Sequence, residues 1–176
     1  MFKILKLVIC VSMVTLVFSA ENEIVIVGGA GENCIEDPGC INRLHPDIPM
    51  IHRANPGQSI LFRTRDTIDV LGTVETQTSE PETLDINFGA VHPMAGPVYI
   101  EGAIPGDVLK VTILNIDPGK YGFTFGGGGG FIPDLIDGEF LTVWRLNREF
   151  AESDDIAGVR IPNASFPGVV STLPGP

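Results

Sequence analysis

The chain has 176 residues, with 22 acidic against 11 basic side chains and a formal net charge of −11. Such an acidic balance excludes a protein that works by neutralising phosphate, whether on nucleic acid or on an anionic membrane surface. It places no limit on an uncharged substrate.

Residues 1–20 read as an export signal. Lys3 and Lys6 form a positive start, Leu7 to Phe18 is almost wholly apolar, and Ser19 and Ala20 follow. The apolar run is short for a membrane span and lacks a stop-transfer flank, so cleavage is the better reading. The expected product is secreted or periplasmic, with no stable membrane insertion after cleavage. Residues 21–176 are long enough for one domain with a real core. Loss of Lys3 and Lys6 makes that domain more acidic still.

Glycine (21) and proline (14) are spread along the whole chain and punctuate short apolar runs, the pattern of an all-β domain with little helix. The first expected strand is Ile24–Val27. Next come Cys34 and Cys40, whose spacing Cys34-Ile-Glu-Asp-Pro-Gly-Cys40 encloses a Pro-Gly turn. In an oxidising compartment this predicts a disulfide loop. A zinc pair would need two further ligands nearby, and export disfavours a catalytic thiol.

Two units then share one design. Asn55-Pro56-Gly57-Gln58 leads into Ser59–Arg65, and Ile104-Pro105-Gly106-Asp107 leads into Val108–Leu114. Proline fixes φ at the second turn position and glycine supplies the positive φ at the third, as in a type II turn. Leu109, Val111 and Ile113 alternate with Lys110 and Thr112, which predicts a strand with one buried and one wet face. Val98–Glu101 and Phe140–Leu146 are further expected strands. The polar stretch Thr67–Leu84 reads as a surface loop, and a short helix is expected within Asn147–Asp155. The run Gly126–Gly130 lacks the Gly-Lys-Ser/Thr of a phosphate loop and reads as an unstructured loop. A β-sandwich or distorted barrel with long loops is the expected architecture.

Three histidines lie in the first half. His45, in Arg43-Leu44-His45-Pro46-Asp47, suits either a metal or substrate contact or a surface loop with a hydrogen-bonded imidazole. His52 is assigned no role. His92 opens a proline- and glycine-held segment that ends in Glu101, and Asp85 and Asn87 upstream share a face of an extended chain. Asp85, His92 and Glu101 together would form an oxygen and nitrogen ligand set for a divalent ion. Metal-bound water, or Glu101 as general base, would then attack an amide carbonyl. The competing reading is a buried Asp–His hydrogen bond beside a solvated glutamate, and residue types alone do not separate the two. No Gly-x-Ser-x-Gly elbow, His-Glu-x-x-His helix or Cys-x-x-Cys pair is present. Asn163-Ala164-Ser165 matches a glycosylation acceptor, relevant only in a eukaryotic host.

The motifs taken together resemble the acetamidase/formamidase family. The likeness runs through Arg43-Leu44-His45-Pro46-Asp47-Ile48-Pro49, Ala54-Asn55-Pro56-Gly57 and Val91-His92-Pro93. It continues through Gly96-Pro97-Val98-Tyr99-Ile100-Glu101-Gly102, Pro105-Gly106-Asp107-Val108-Leu109 and Gly158–Val169. It implies hydrolysis of small linear amides such as formamide or acetamide, a β-rich fold, self-association into a homo-oligomer, and a divalent metal, with zinc as the first choice. By the same resemblance His92, Glu101 and His45 are the expected catalytic residues, and Asp85, His92 and Glu101 the expected metal ligands. Family enzymes are longer, so residues 21–176 would be an N-terminal portion. A secreted β-domain that binds a ligand without turnover is the second reading.

Overall fold

A computed structural model describes residues 23–70, 86–127, 133–135 and 138–175. The expected signal at 1–20, residues 71–84 of the expected loop, Asp85 and Gly128–Gly130 lie outside the described residues.

The architecture is all-β, with ten short strands and one 3₁₀ turn, Pro133–Leu135, among the described residues. They are β1 (Val25–Val27), β2 (Cys40–Ile41), β3 (His52–Ala54), β4 (Ile60–Phe62), β5 (Met94–Ala95), β6 (Val98–Ile100), β7 (Tyr121–Gly126), β8 (Phe140–Leu146), β9 (Phe150–Glu152) and β10 (Arg160–Pro162). No helix of the described residues is long and apolar enough to cross a membrane. The sheets are open. β1 pairs with β4 in parallel, β2 with β5 antiparallel, and β3 with β6 in parallel; β7 to β10 form a four-stranded antiparallel meander.

The meander is the most regular part because β8 is long and pairs along its length with β7. Leu141 and Trp144 are buried while Phe140 and Arg145 are exposed. The Trp144 indole nitrogen donates to Thr124 Oγ1 at 2.9 Å across the β7–β8 pair, so the buried ring leaves no polar atom unmatched. The expected helix over Asn147–Asp155 is corrected here. Asn147 Oδ1 accepts from the Glu149 and Phe150 amides (both 2.8 Å), closing an Asx turn that sends the chain back as β9. The glycine run also differs from an unstructured loop at its start. Gly126 pairs with Phe140 inside the ladder, and a Cβ on Gly127, at φ 118°, would collide with the Gly138 carbonyl.

Both Pro-Gly turns form. Gln58 N donates to Asn55 O (3.0 Å) with Gly57 at φ 83°, and Asp107 N donates to Ile104 O (3.1 Å) with Gly106 at φ 101°. Their sequels differ. Ile60–Phe62 joins β1 as expected, whereas Val108–Leu114 pairs with no described strand and is exposed throughout. Alternation marked it as a strand, but no partner edge among the described residues makes it one.

The second half of the core gathers around β1 and β3, where Val27 and Ala54 are buried with Val70 and Ala90. This layer carries the loops that hold the candidate site.

Candidate active site

The site's framework is a buried ionic hub. Asp37 Oδ2 accepts from the Gly29 and Ala30 amides (2.7 and 3.1 Å) and Oδ1 from Gly39 N (2.8 Å), so one carboxylate folds the loop from 28 to 41. The Cys34–Cys40 disulfide closes the same loop, as the spacing predicts. Arg65 reaches in with Nη2 3.6 Å from Asp37 and Nη1 3.2 Å from Asp69, and donates to the carbonyls of Ala30, Gly31 and Glu32. Asp69 Oδ2 in turn accepts from Cys34 N at 2.6 Å. Both carboxylates are buried, and buried charge persists only when matched this way. The hub thus fixes Asn33, the neighbour of Cys34, against Asp69.

His92 stands beside this framework. Its amide donates to Thr67 O at 2.7 Å, which ties it to the turn carrying Ile68 and Asp69. The residue sits at φ 61°, and Asp69 at φ 57°; these are the two left-handed residues other than glycine among those described. Each such conformation costs on the order of 1–3 kcal/mol and persists where the surroundings impose it. The exposed imidazole makes no hydrogen bond or ion pair among the described residues, so both ring nitrogens are left for other partners.

A cleft of about 250 Å³ is lined by Asn33, Ile68, Asp69, Asn87 and Ala90; His92 does not line it, and its link to this wall is the amide bond to Thr67 O, one residue before Ile68. The cleft's polar groups are oriented by local turns. Asn33 Oδ1 accepts from the Ile35 and Glu36 amides (2.9 and 3.1 Å), and Asn87 Oδ1 from Gly89 N (2.9 Å). Ala90 N donates to Asn87 O (2.8 Å), and the Asn42 side-chain amide donates to Gly89 O. With the oxygens engaged, the Nδ2 groups of Asn33 and Asn87 remain as unspent donors among the described residues. Two amide donors and a nearby imidazole suit a small neutral carbonyl compound. The motifs of the primary structure mark neither Asn33 nor Asp69. Asp69 lies in the polar stretch that reads as a plain surface loop, and only the Asx pattern hints at Asn33.

Glu101 is held elsewhere. It follows β6 at a turn closed by Ala103 N to Ile100 O (3.1 Å), with Gly102 at φ 79°. Arg53 on β3 grips it through Nε to Oε1 (2.6 Å) and Nη2 to Oε2 (3.1 Å), and stacks 4.2 Å over the Tyr99 ring. This fork holds the Glu101 carboxyl below its ordinary value of 4.5 and raises Arg53, the hydrogen bond being the largest cause of each. A carboxylate so stabilised is a weaker base. No hydrogen bond or ion pair joins it to His92 among the described residues. The parallel β3–β6 register, Arg53 opposite Tyr99, creates this pair across 48 residues of sequence, which no local pattern announces.

His45 is exposed and turned to its own loop, its Nδ1 accepting from Asp47 N at 3.2 Å and lying 3.7 Å from Asp47 Oδ2. That is the hydrogen-bonded surface histidine of the simpler reading. His52 packs its Nε2, buried and without a partner, against Gly39; a Cβ there would come within 2.9 Å. No three His, Cys, Asp or Glu side chains gather to hold a metal among the described residues. Of the expected set, Asp85 lies outside the described residues, and Glu101 has both oxygens engaged by Arg53. A wider hollow of about 370 Å³ on the meander is lined by Arg145, Glu152, Asp154 and Arg160, whose charges already match one another. None of the expected site residues lines it.

Comparison with known proteins bears on this geometry. The pattern defining the Acetamidase/Formamidase family matches residues 31–176. An acetamidase of Mycolicibacterium smegmatis is 30% identical over 149 residues, covering 77% of this chain and 36% of that protein. A formamidase of Methylophilus methylotrophus is 32% identical over 140 residues, covering 76% of this chain and 34% of that protein. A solved structure of a gamma lactamase from Delftia acidovorans superposes with a TM-score of 0.64 at 30% identity, covering 79% of this chain and 35% of that one. The chain therefore spans about a third of the length of these relatives.

Proposed function

Since the chain belongs to the acetamidase/formamidase family, we propose that it hydrolyses the carbon–nitrogen bond of small linear amides such as formamide or acetamide. The match over residues 31–176 is the observation that carries this reading. Relatives named acetamidase and formamidase support amide hydrolysis as the class, and the cleft beside His92 supplies a place for it.

In this reading the amide carbonyl enters the cleft and accepts hydrogen bonds from the Nδ2 groups of Asn33 and Asn87. Those donors stabilise negative charge as it develops on the oxygen. His92 takes a proton from water as the water oxygen bonds to the carbonyl carbon. It then returns the proton to the nitrogen as the C–N bond breaks, leaving ammonia and the carboxylic acid. The left-handed backbone at His92 supports this role, because strain at an unpartnered imidazole is a feature of sites held for use. His45, turned to its own loop against Asp47, takes no part in this reading. Glu101 enters as a fixed carboxylate paired with Arg53 rather than as the base. Zinc at Asp85, His92 and Glu101 has no assembled donor set among the described residues, so no step is routed through it. The apolar leader and the Cys34–Cys40 bond support export.

The test is ammonia release from formamide and acetamide by the purified chain, with zinc and other divalent ions supplied. Turnover should fall about 10²- to 10⁴-fold in His92→Ala, the range for loss of a general base. No ammonia from any short amide would overturn the proposal. The outcome would then favour the second reading, a ligand-binding β-domain.

A further inference from the structure

We propose that Asn163 is a glycan acceptor, taking an oligosaccharide on Nδ2 as the chain passes through a secretory pathway that carries sugars on lipid pyrophosphate. Asn163-Ala164-Ser165 has the acceptor pattern, with no proline within it or directly after it, and the pattern occurs once in the chain. Its place in the fold suits a bulky, water-loving attachment. Asn163 follows β10, the outer strand of the meander, which pairs only with β9 among the described strands. Every residue from Ala164 to Thr172 is exposed. The local geometry prepares the carboxamide. Asn163 Oδ1 accepts from Ser165 N at 2.9 Å and from Ser165 Oγ at 2.6 Å. The hydroxyl that the pattern requires thus lies against the group to be modified. Both bonds span two residues, so they need no tertiary contact and are open to the chain before it folds.

The step is a substitution. Nδ2 bonds to the anomeric carbon of the sugar, the bond from that carbon to the pyrophosphate oxygen breaks, and the lipid pyrophosphate leaves with the electron pair. One proton leaves Nδ2 and one N–H stays. In the folded chain Nδ2 makes one hydrogen bond among the described residues, to Asn147 O at 2.8 Å, so one N–H is what the turn uses. The proposal rests on the export reading of residues 1–20, which the Cys34–Cys40 disulfide supports, and it is independent of amide hydrolysis.

The experiment expresses the full chain in cultured eukaryotic cells, once with its own leader and once behind a proven secretory leader. Protein is taken from the medium and from the secretory membranes, so a variant that fails to fold still reports. Intact mass is measured before and after endoglycosidase treatment. The expected result in both arms is an excess of one oligosaccharide that the enzyme removes. Ser165→Ala, which leaves the Asn163 side chain in place, and Ala164→Pro should each abolish the excess, and Ser165→Thr should keep it. An unshifted mass behind the proven leader would overturn the proposal. So would an excess that survives Ser165→Ala, since the sugar would then lie elsewhere. A glycan behind the proven leader, with a bare cytosolic product from the chain's own, would overturn it for the natural chain and place the fault in the export reading.

Discussion

His92 separates stability from activity. At φ 61° a side chain is strained, and only glycine adopts that backbone without cost. Replacing His92 with glycine should stabilise the fold by about 1 kcal/mol, less the entropy that glycine adds to the unfolded chain, while removing turnover. Replacement with alanine should remove turnover without that gain. Urea denaturation read by Trp144, the sole tryptophan, alongside ammonia release, checks both halves. A glycine variant less stable than the alanine variant would show that the surroundings do not impose strain there.

Glu101 allows a pH test. Its pair with Arg53 holds the folded carboxyl below 4.5, so the unfolded state binds the proton more readily. The contribution is present above that value and fades as pH falls through the lowered folded value. Asp154 beside Arg145 behaves alike. Both pairs are solvent-exposed, so the effect is small and weakens with salt. The stability gap between wild type and Glu101→Gln should therefore exist at neutral pH and close in acid. A gap independent of pH would mean that packing of the Arg53–Tyr99–Glu101 stack, not charge, is what the glutamate provides.

At the scale of elements, the loop from 28 to 41 owes its shape to one carboxylate and one disulfide. Asp37→Ala strands three backbone amides and leaves Arg65 short of a buried partner, which should cost about 3–5 kcal/mol. Reduction of Cys34–Cys40 opens a small ring and should cost about 2 kcal/mol by loop-closure entropy. Urea midpoints of the variant and of the reduced protein measure each. A loss below about 1 kcal/mol for Asp37→Ala would mean that the hub is dispensable.

These same elements show what local pattern can and cannot carry. Turn chemistry was legible, because Pro56-Gly57 and Pro105-Gly106 settle their own φ values within four residues. The disulfide was legible for the same reason, resting on close spacing, and β8 was legible as a run of apolar and β-branched residues. The fate of Val108–Leu114 was not, because a strand is defined by its neighbour and the pattern names none. The β9 return was missed because Asn147 acts through its side chain on the backbone, which outweighs helical spacing. Of the site, His92 and its rigid segment were readable, while the loop carrying Asn33 meets Asp69 and Arg65 only through contacts more than thirty residues apart.

For the molecule as a whole, two regions meet different needs. The meander buries Trp144 and closes its own ladder, whereas the layer of β1 to β6 presents a polar cleft. The acidic balance and an uncharged amide are compatible, since recognition here relies on hydrogen bonds rather than on field. The cleft of about 250 Å³ is of a size for a small amide, and on this reading turnover should fall as the acyl chain lengthens. Rates for formamide, acetamide and hexanamide would show this, and equal rates would place the substrate outside the cleft.

The central claim is that a short amide binds between Asn33 and Asn87 beside His92. Titration of the isotope-labelled protein with acetamide, followed through its side-chain amide and imidazole resonances, tests it most directly. The account predicts that the Asn33 and Asn87 NH₂ signals and the His92 ring shift together and saturate at one concentration, while His45 stays still. Saturable shifts confined to other residues, or none at these three, would contradict it.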